Sequence, residues 1–425
     1  MSNPTTPELV NPDGTVPAEP VHEVSGAAAF WLILTLTLSF FGTTMALATP
    51  QSISLALKLN EISPETATTD LGSLIGVGLA IQILALILVG RLSDYTTSRF
   101  GMRRPWLIGG AVAVAIGSLV LAVSSNLPML WIGFMILGVG ATACASCLYA
   151  TIPEQVPERH RGLTTGFVAA GSGLGTLAGL LIVTLAPGNL FLVFVLPAIA
   201  AIVPVIVFAV LLRDRRLLTR PKITWALLFG SFTINRKNPN VAWFLPSIIL
   251  MNSVLAVSST YSYYIFGYQY GVAPEDIPAM AFLNGVIAGV LGAVASLVVG
   301  PLSDRVGRRK PFYIAAVVFF IAGALTVALS HDLVAAFVGF ALITIGSGAV
   351  GGTYLAITME GMTTLDTAAR DINVVVAGYS LAFVFMPLLA PVFLGVAGDN
   401  FPALLIAGAV LTALSVVSLL KVKVR

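Results

Sequence analysis

Long apolar runs recur along this chain; "FLVFVLPAIAAIVPVIVFAVLL", Phe191 to Leu212, carries no charge at all. A run of about 18 residues or more can cross a hydrocarbon core about 30 Å thick as a helix. Inside that core every backbone N–H and C=O must bond within its own element, which favours helices. The 425 residues are 57% hydrophobic and 10% charged, against about 25% charged in soluble domains. The chain therefore reads as an all-α membrane protein.

Gaps marked by Pro, Gly and charge divide the apolar sequence into twelve spans. They lie near 27–57, 71–91, 105–124, 128–151, 163–185 and 190–212, then 242–268, 280–300, 311–330, 333–357, 373–395 and 401–420. Six-helix units are expected over 26–212 and 242–420, joined by a basic cytoplasmic linker over 213–241. That linker contains "ITWALLFGSF", an amphipathic piece suited to a membrane surface. Residues 1–25 are rich in Pro and hold Glu8, Asp13, Glu19 and Glu23 but no Lys or Arg. They read as a disordered cytoplasmic tail rather than a cleaved signal peptide, and 421–425 as a basic cytoplasmic tail. With an inside amino terminus, 21 of the 22 basic residues fall on one side, Lys58 alone on the other. Because Lys and Arg resist translocation, that side is read as cytoplasmic, with both termini there.

The two halves are related. "VGRLSDYTTSRFGMRRPW", Val89 to Trp106, returns in shorter form as "VGPLSDRVGRRKPF", Val299 to Phe312. Asp94 and Asp304 are 210 residues apart, and at that offset "SPE" at Ser63 to Glu65 falls on "APE" at Ala273 to Glu275. A tandem duplication of six helices is the construction of many transporters, with the substrate site near the midplane between the halves.

The duplicated Gly-x-Leu-Ser-Asp stretch followed by basic residues resembles the signature loop of the major facilitator superfamily. The longer form, "SDYTTSRFGMRRPW", is similar to the glycoside–cation symporters and plant-type sucrose transporters, as is "LATP" at Leu47 to Pro50. The resemblance implies a major facilitator fold with gates on the cytoplasmic face. Gly90 and Gly300 would let helices approach, Asp94 would meet the start of the eleventh helix near Asn373, and Asp304 the start of the fifth near Gly162. A carboxylate at a helix amino end is favoured by about 0.3–1 kcal/mol. Arg103 or Arg104 would pair with Glu154, and Arg308 or Arg309 with Glu360, closing the cytoplasmic side until the cavity opens inward. The competing explanation is that charge gathers there because insertion rules demand it.

The interior is expected to hold no ionisable side chain near the bilayer midplane, where charge is costly and usually functional. The acidic groups that bind cation in the glycoside–cation symporters have no counterpart in helix two, "SLIGVGLAIQILALILVG", nor have the Asp and Arg of the sucrose carriers in helices four and eight. Proton coupling would then need a carboxylate near the rim, such as Glu154, Glu360 or Glu23; facilitated diffusion is the other option. Thr37, Thr44 and Gln51, seven apart, fall roughly on one face of helix one. Gln51 matches Tyr261 at the 210 offset, and Tyr264 follows. These polar and aromatic groups, with Gln82, Asn252, Asn284, Asn373 and Tyr379, are candidates for the substrate cavity, although helix–helix hydrogen bonding is an alternative role. Tyr268 and Tyr270 fit an interfacial aromatic belt. Gly171, Gly175 and Gly179 form a small-residue ridge in helix five, and "CASC" at Cys144 to Cys147 reads as small residues packed in a helix.

No Gly-Lys pair and no HExxH are present, so a nucleotide-driven pump or zinc hydrolase is not indicated. An enzyme, a channel and a nucleic-acid binder are set aside, and no cofactor or metal is expected. The expected partners are a small-molecule substrate, the lipid bilayer and, as a candidate coupling ion, a proton. The expected function is a monomeric secondary transporter of a small polar solute, foremost a sugar or glycoside, in a bacterial inner membrane. An exporter of hydrophobic drugs or metabolites is the second reading.

Overall fold

The structure, a computed structural model, describes residues 27–214, 239–360, 368–397 and 400–423. Among the described residues, twelve helices are long and apolar enough to span a bilayer. They are α1 (Ala28–Ile62), α2 (Ala67–Asp94), α3 (Arg104–Val123), α4 (Leu127–Gln155), α5 (Glu158–Leu185) and α6 (Leu190–Leu211). The second set is α7 (Pro239–Thr260), α8 (Ile277–Val306), α9 (Lys310–Leu329), α10 (Leu333–Glu360), α11 (Ala368–Ala397) and α12 (Phe401–Leu420). Several run a turn or more past the apolar windows, because a helix continues into the interfacial zone where its exposed groups meet water. The amphipathic piece "ITWALLFGSF" lies outside the described residues.

Polar residues set where four helices begin. On the side away from the motifs, α4, α6 and α12 start behind Asn126, Asn189 and Asn400. Their side-chain oxygens accept from the backbone N–H of Met129, Leu192 and Ala403. Asp332 does the same for Ala335 at the start of α10. Each cap satisfies one of the amide donors that a first helical turn leaves unpaired.

The packing repeats between the halves. α1 lies against α5 and α6 as α7 lies against α11 and α12; α3 meets α4 and α6 as α9 meets α10 and α12; α2 meets α4 as α8 meets α10. The halves join along two seams, α2 on α11 and α5 on α8. The ridge of Gly171, Gly175 and Gly179 faces Thr37, Phe41 and Thr49 of α1, inside the first half rather than at a seam between halves. Cys144 and Cys147 are buried free thiols.

The first helix of each half is interrupted at the same place. α1 consists of an α-helix Ala27–Thr49, a π-turn Pro50–Ser54 and a second α-helix Leu55–Ile62. Pro50 has no N–H to give to the preceding turn, and the helix widens around it. The seventh span, expected as one helix over 242–268, is broken instead. It runs Pro239–Met251, resumes over Ser253–Thr260, and continues past Tyr261 into a π-turn, Ile265–Gln269. At the first break the Asn252 side chain donates to the Ile248 carbonyl at 2.8 Å, the local bonding by which Asn competes with a helix. The second break, at Tyr261, is the 210-residue equivalent of Gln51 in the π-turn of α1.

Candidate functional site

The first motif folds around Arg103, at the amino end of α3. Its Nε donates to Glu154 Oε2 at 2.9 Å, Nη2 to Asp94 Oδ1 at 3.0 Å and Nη1 to Ser93 Oγ at 3.3 Å. The fork grips Glu154 through two nitrogens, the bidentate geometry that makes Arg–carboxylate pairs strong. Arg104 turns the other way, donating to the carbonyls of Leu212 and Val210 at the end of α6. In the second motif Arg309 Nη2 donates to Asp304 Oδ1 at 3.0 Å and Nε pairs with Glu360 at 2.8 Å. Arg308 is exposed, and Lys310 Nζ donates to the Val422 carbonyl. The two clusters are equivalent: Arg103, Arg104 and Glu154 map onto Arg309, Lys310 and Glu360 at an offset of 206, which absorbs the longer first loop. Gly90 lies beside Ser146 of α4 and Gly300 beside Gly352 of α10, as close helix approach requires.

Each of these ion pairs lies within one half. Arg103–Glu154 and Arg309–Glu360 tie the motif loop to the fourth helix of its own half, the partners expected from the sequence, although the sequence reading has them break when the cytoplasmic side opens. They remain intact while the motif side is apart. There Asp94 faces Val376, Ala377 and Ser380 of α11 across a cleft of about 370 Å³ that Gly90, Arg91 and Ser146 also line. On the second seam Gly162 and Gly166 at the start of α5 have no neighbour among the described residues within reach of an added Cβ. The Asn373 side chain lies outside the described residues.

The opposite end is shut. A Cβ on Gly72 of α2 would collide with the Tyr261 hydroxyl and the Pro387 carbonyl, and one on Gly76 with Leu388. Gly285 of α8 sits against Leu177 and Leu180 of α5. Asn60 Nδ2 donates to Tyr264 Oη across the halves at 3.2 Å, and the Tyr264 ring stacks on Phe401 with centroids 6.0 Å apart. Tyr261 and Tyr264, expected along a cavity, are fully buried in this aromatic cap. Tyr268 is exposed beside it, and Tyr270 donates to the Val327 carbonyl at the end of α9. Asn60, Gly72 and Phe401 carry no sequence signal for this role, since their partners lie far along the chain, those of Asn60 and Gly72 in the other half.

Between the two ends the polar candidates separate. Gln51 Nε2 donates to Gln82 Oε1 at 3.3 Å, joining α1 to α2, while Thr37 faces Gly171 of α5. Thr37 and Thr44 lie on the unbroken α-helix before Pro50, whereas Gln51 lies within the π-turn and turns to α2; Thr44 is half-buried. Gln82 is buried and seated against Gly138 of α4, its Nε2 without a hydrogen-bond partner among the described residues. Asn252 is fully buried, its Oδ1 unpartnered among the described residues, Asn284 is partly exposed on α8, and Tyr379 lies 5.5 Å from Tyr354, centroid to centroid.

Two six-helix halves, shut at one end, parted at the other and carrying duplicated charge clusters, define a carrier of the alternating-access kind. The model of the Major Facilitator Superfamily matches residues 30–369, and the chain belongs to that family. It is a multi-pass membrane transporter, not an enzyme. The tetracycline resistance protein, class H, of Pasteurella multocida is 33% identical over 125 residues, a stretch covering 28% of this chain and 30% of that relative. A bacterial homolog of the human lysosomal transporter Spinster superposes with a TM-score of 0.71 at 15% identity, over 94% of this chain and 97% of the other. The xylose transporter of E. coli gives 0.67 at 15% identity, over 94% and 100%. At such identities the superpositions speak for the fold.

Proposed function

We propose that this transporter moves a neutral, hydroxyl-bearing solute, a sugar or glycoside, across the bacterial inner membrane by alternating access. The observation that carries this reading is the Gln51–Gln82 pair. It places amide donors and acceptors at the break in α1, in spans whose ionisable residues lie only toward their ends. Amides bond hydroxyls without the desolvation that a buried charge demands. The motif side faces the cytoplasm with both termini, and residues 26–212 and 242–420 are the two moving bodies of a monomer, linked by 213–241. Asp94 docks on the amino end of α11 and Asp304 on that of α5 when the cytoplasmic side closes; the Arg–Glu pairs hold each Asp in place for that step. A proton taken up at a rim carboxylate such as Glu154 or Glu360 is the candidate coupling.

A second reading, export of hydrophobic drugs or metabolites, is favoured by the similarity to the tetracycline resistance protein, which spans about a quarter of this chain. The test is uptake of a labelled sugar panel by membrane vesicles, with and without proton and sodium gradients. Saturable sugar uptake is expected. Vesicles that ignore every sugar yet accumulate tetracycline would decide for export.

A further inference from the structure

We propose that Asp214 is a positioning residue of the first motif cluster. It holds Arg103 in the pose that presents Asp94, and so makes the end of α6 and the start of the central connection part of the cytoplasmic closure. This rests on the closure role given to Asp94 above.

The α3 helix begins without a cap of its own, since the side chain of Arg103 at that position makes no capping bond. The cap comes from 111 residues away. Asp214 Oδ2 accepts from the backbone N–H of Arg103 at 2.7 Å and from that of Arg104 at 2.8 Å. Both are among the donors a first turn leaves unpaired, and the helix dipole favours a carboxylate there. Room for it depends on Gly101, whose φ of +107° suits glycine and whose missing Cβ would otherwise occupy the space of the Asp214 carboxylate. Bonds in the reverse direction strengthen the tie. Arg104 donates to the carbonyls of Val210 and Leu212, and Gln155 Nε2 to that of Arg213 at 2.8 Å. Burial pushes the Asp214 carboxyl above its ordinary range while the Arg104 and Arg103 amides pull it back, as befits a carboxylate held inside a joint.

The consequence runs through one side chain. Arg103 has its backbone fixed by Asp214 and its guanidinium shared between Glu154 and Asp94. Loosening the first frees the second, and Asp94 loses its aim at α11. Among the described residues the second half shows no such strut: the 210-residue equivalent of Asp214 is Val424, which lies outside them. There the Lys423 N–H instead donates to Asn240 Oδ1 at 2.8 Å.

The experiment measures the distance between spin labels on Phe167→Cys of α5 and Val298→Cys of α8, in the full chain reconstituted in nanodiscs; the native thiols are buried and stay unlabelled. Asp214→Ala is expected to shift the balance toward the open motif side by about fivefold, because a loosened Arg103 costs the closed state, in which Asp94 must dock, more than the open one. Asp214→Asn, which keeps an acceptor oxygen, is expected to stay within about twofold of the parent. A folded Asp214→Ala protein with the parental distances, or an Asn variant that behaves like Ala, overturns the inference. If Asp214→Ala does not accumulate, Gly101→Ala carries the test, since it displaces the carboxylate without removing it, and parental distances there overturn the inference equally. Asp94→Asn is run alongside. Should it move nothing, the closure reading itself fails; should it open the motif side while Asp214→Ala does not, only the role of Asp214 falls.

Discussion

Arg103 and Arg309 occupy equivalent places in the two halves, yet the first side chain is 4% exposed and the second 19%. Their carboxylates differ in the same sense: Glu154 is 17% exposed, Glu360 35% and Asp304 64%. Removing one partner of a buried pair strands the other charge, whereas an exposed pair is already screened by water. Arg103→Ala should therefore lower stability by about 3 kcal/mol and Arg309→Ala by about 1 kcal/mol, read by thermal unfolding in detergent. Equal losses would contradict the burial argument. Asp94→Asn should cripple transport while expression stays intact, and an unchanged rate would remove Asp94 from the closure. Gln51→Ala should raise the half-saturation concentration about tenfold, the worth of one well-placed hydrogen bond; an unaltered value would remove Gln51 from the site. The motif residues were legible because they repeat. Asp214, Asn60 and Phe401 were not, because a cap or stacking partner far along the chain leaves no local pattern.

At the scale of the helices, hydropathy found every span, since apolar length is what a bilayer demands of one. It did not find the breaks in α1 and α7. A π-turn or a kink at Asn252 leaves composition unchanged and depends on which carbonyls find other donors. At the break in α1, Gln51 turns to α2 while Thr37 faces α5. The seam between α2 and α11 yields a prediction at this scale. Because a Cβ on Gly72 would strike Tyr261 and the Pro387 carbonyl, Gly72→Ala should hold the end away from the motifs apart. Spin labels on Glu65→Cys and Glu275→Cys, in equivalent exposed loops, should move apart in that variant, and an unchanged distance would show that α11 simply yields.

For the whole molecule, the duplication predicts that both motifs lie on one face. A membrane-impermeant thiol reagent applied to each side in turn should reach Asp94→Cys and Asp304→Cys from the same side, and labelling from opposite sides would dismantle the two-half architecture. The number of spans, the internal repeat and the family signature follow from composition, periodicity and spacing, which are properties of residues near one another in the chain. Which end is shut, and which of two neighbouring arginines takes Glu154 or Glu360, are settled between residues more than fifty apart. Arg103 chose Glu154 and Arg104 the end of α6 because α3 enters the bundle at one particular rotation about its axis. That rotation is set by packing against α4 and α6, and no stretch of chain read alone contains it.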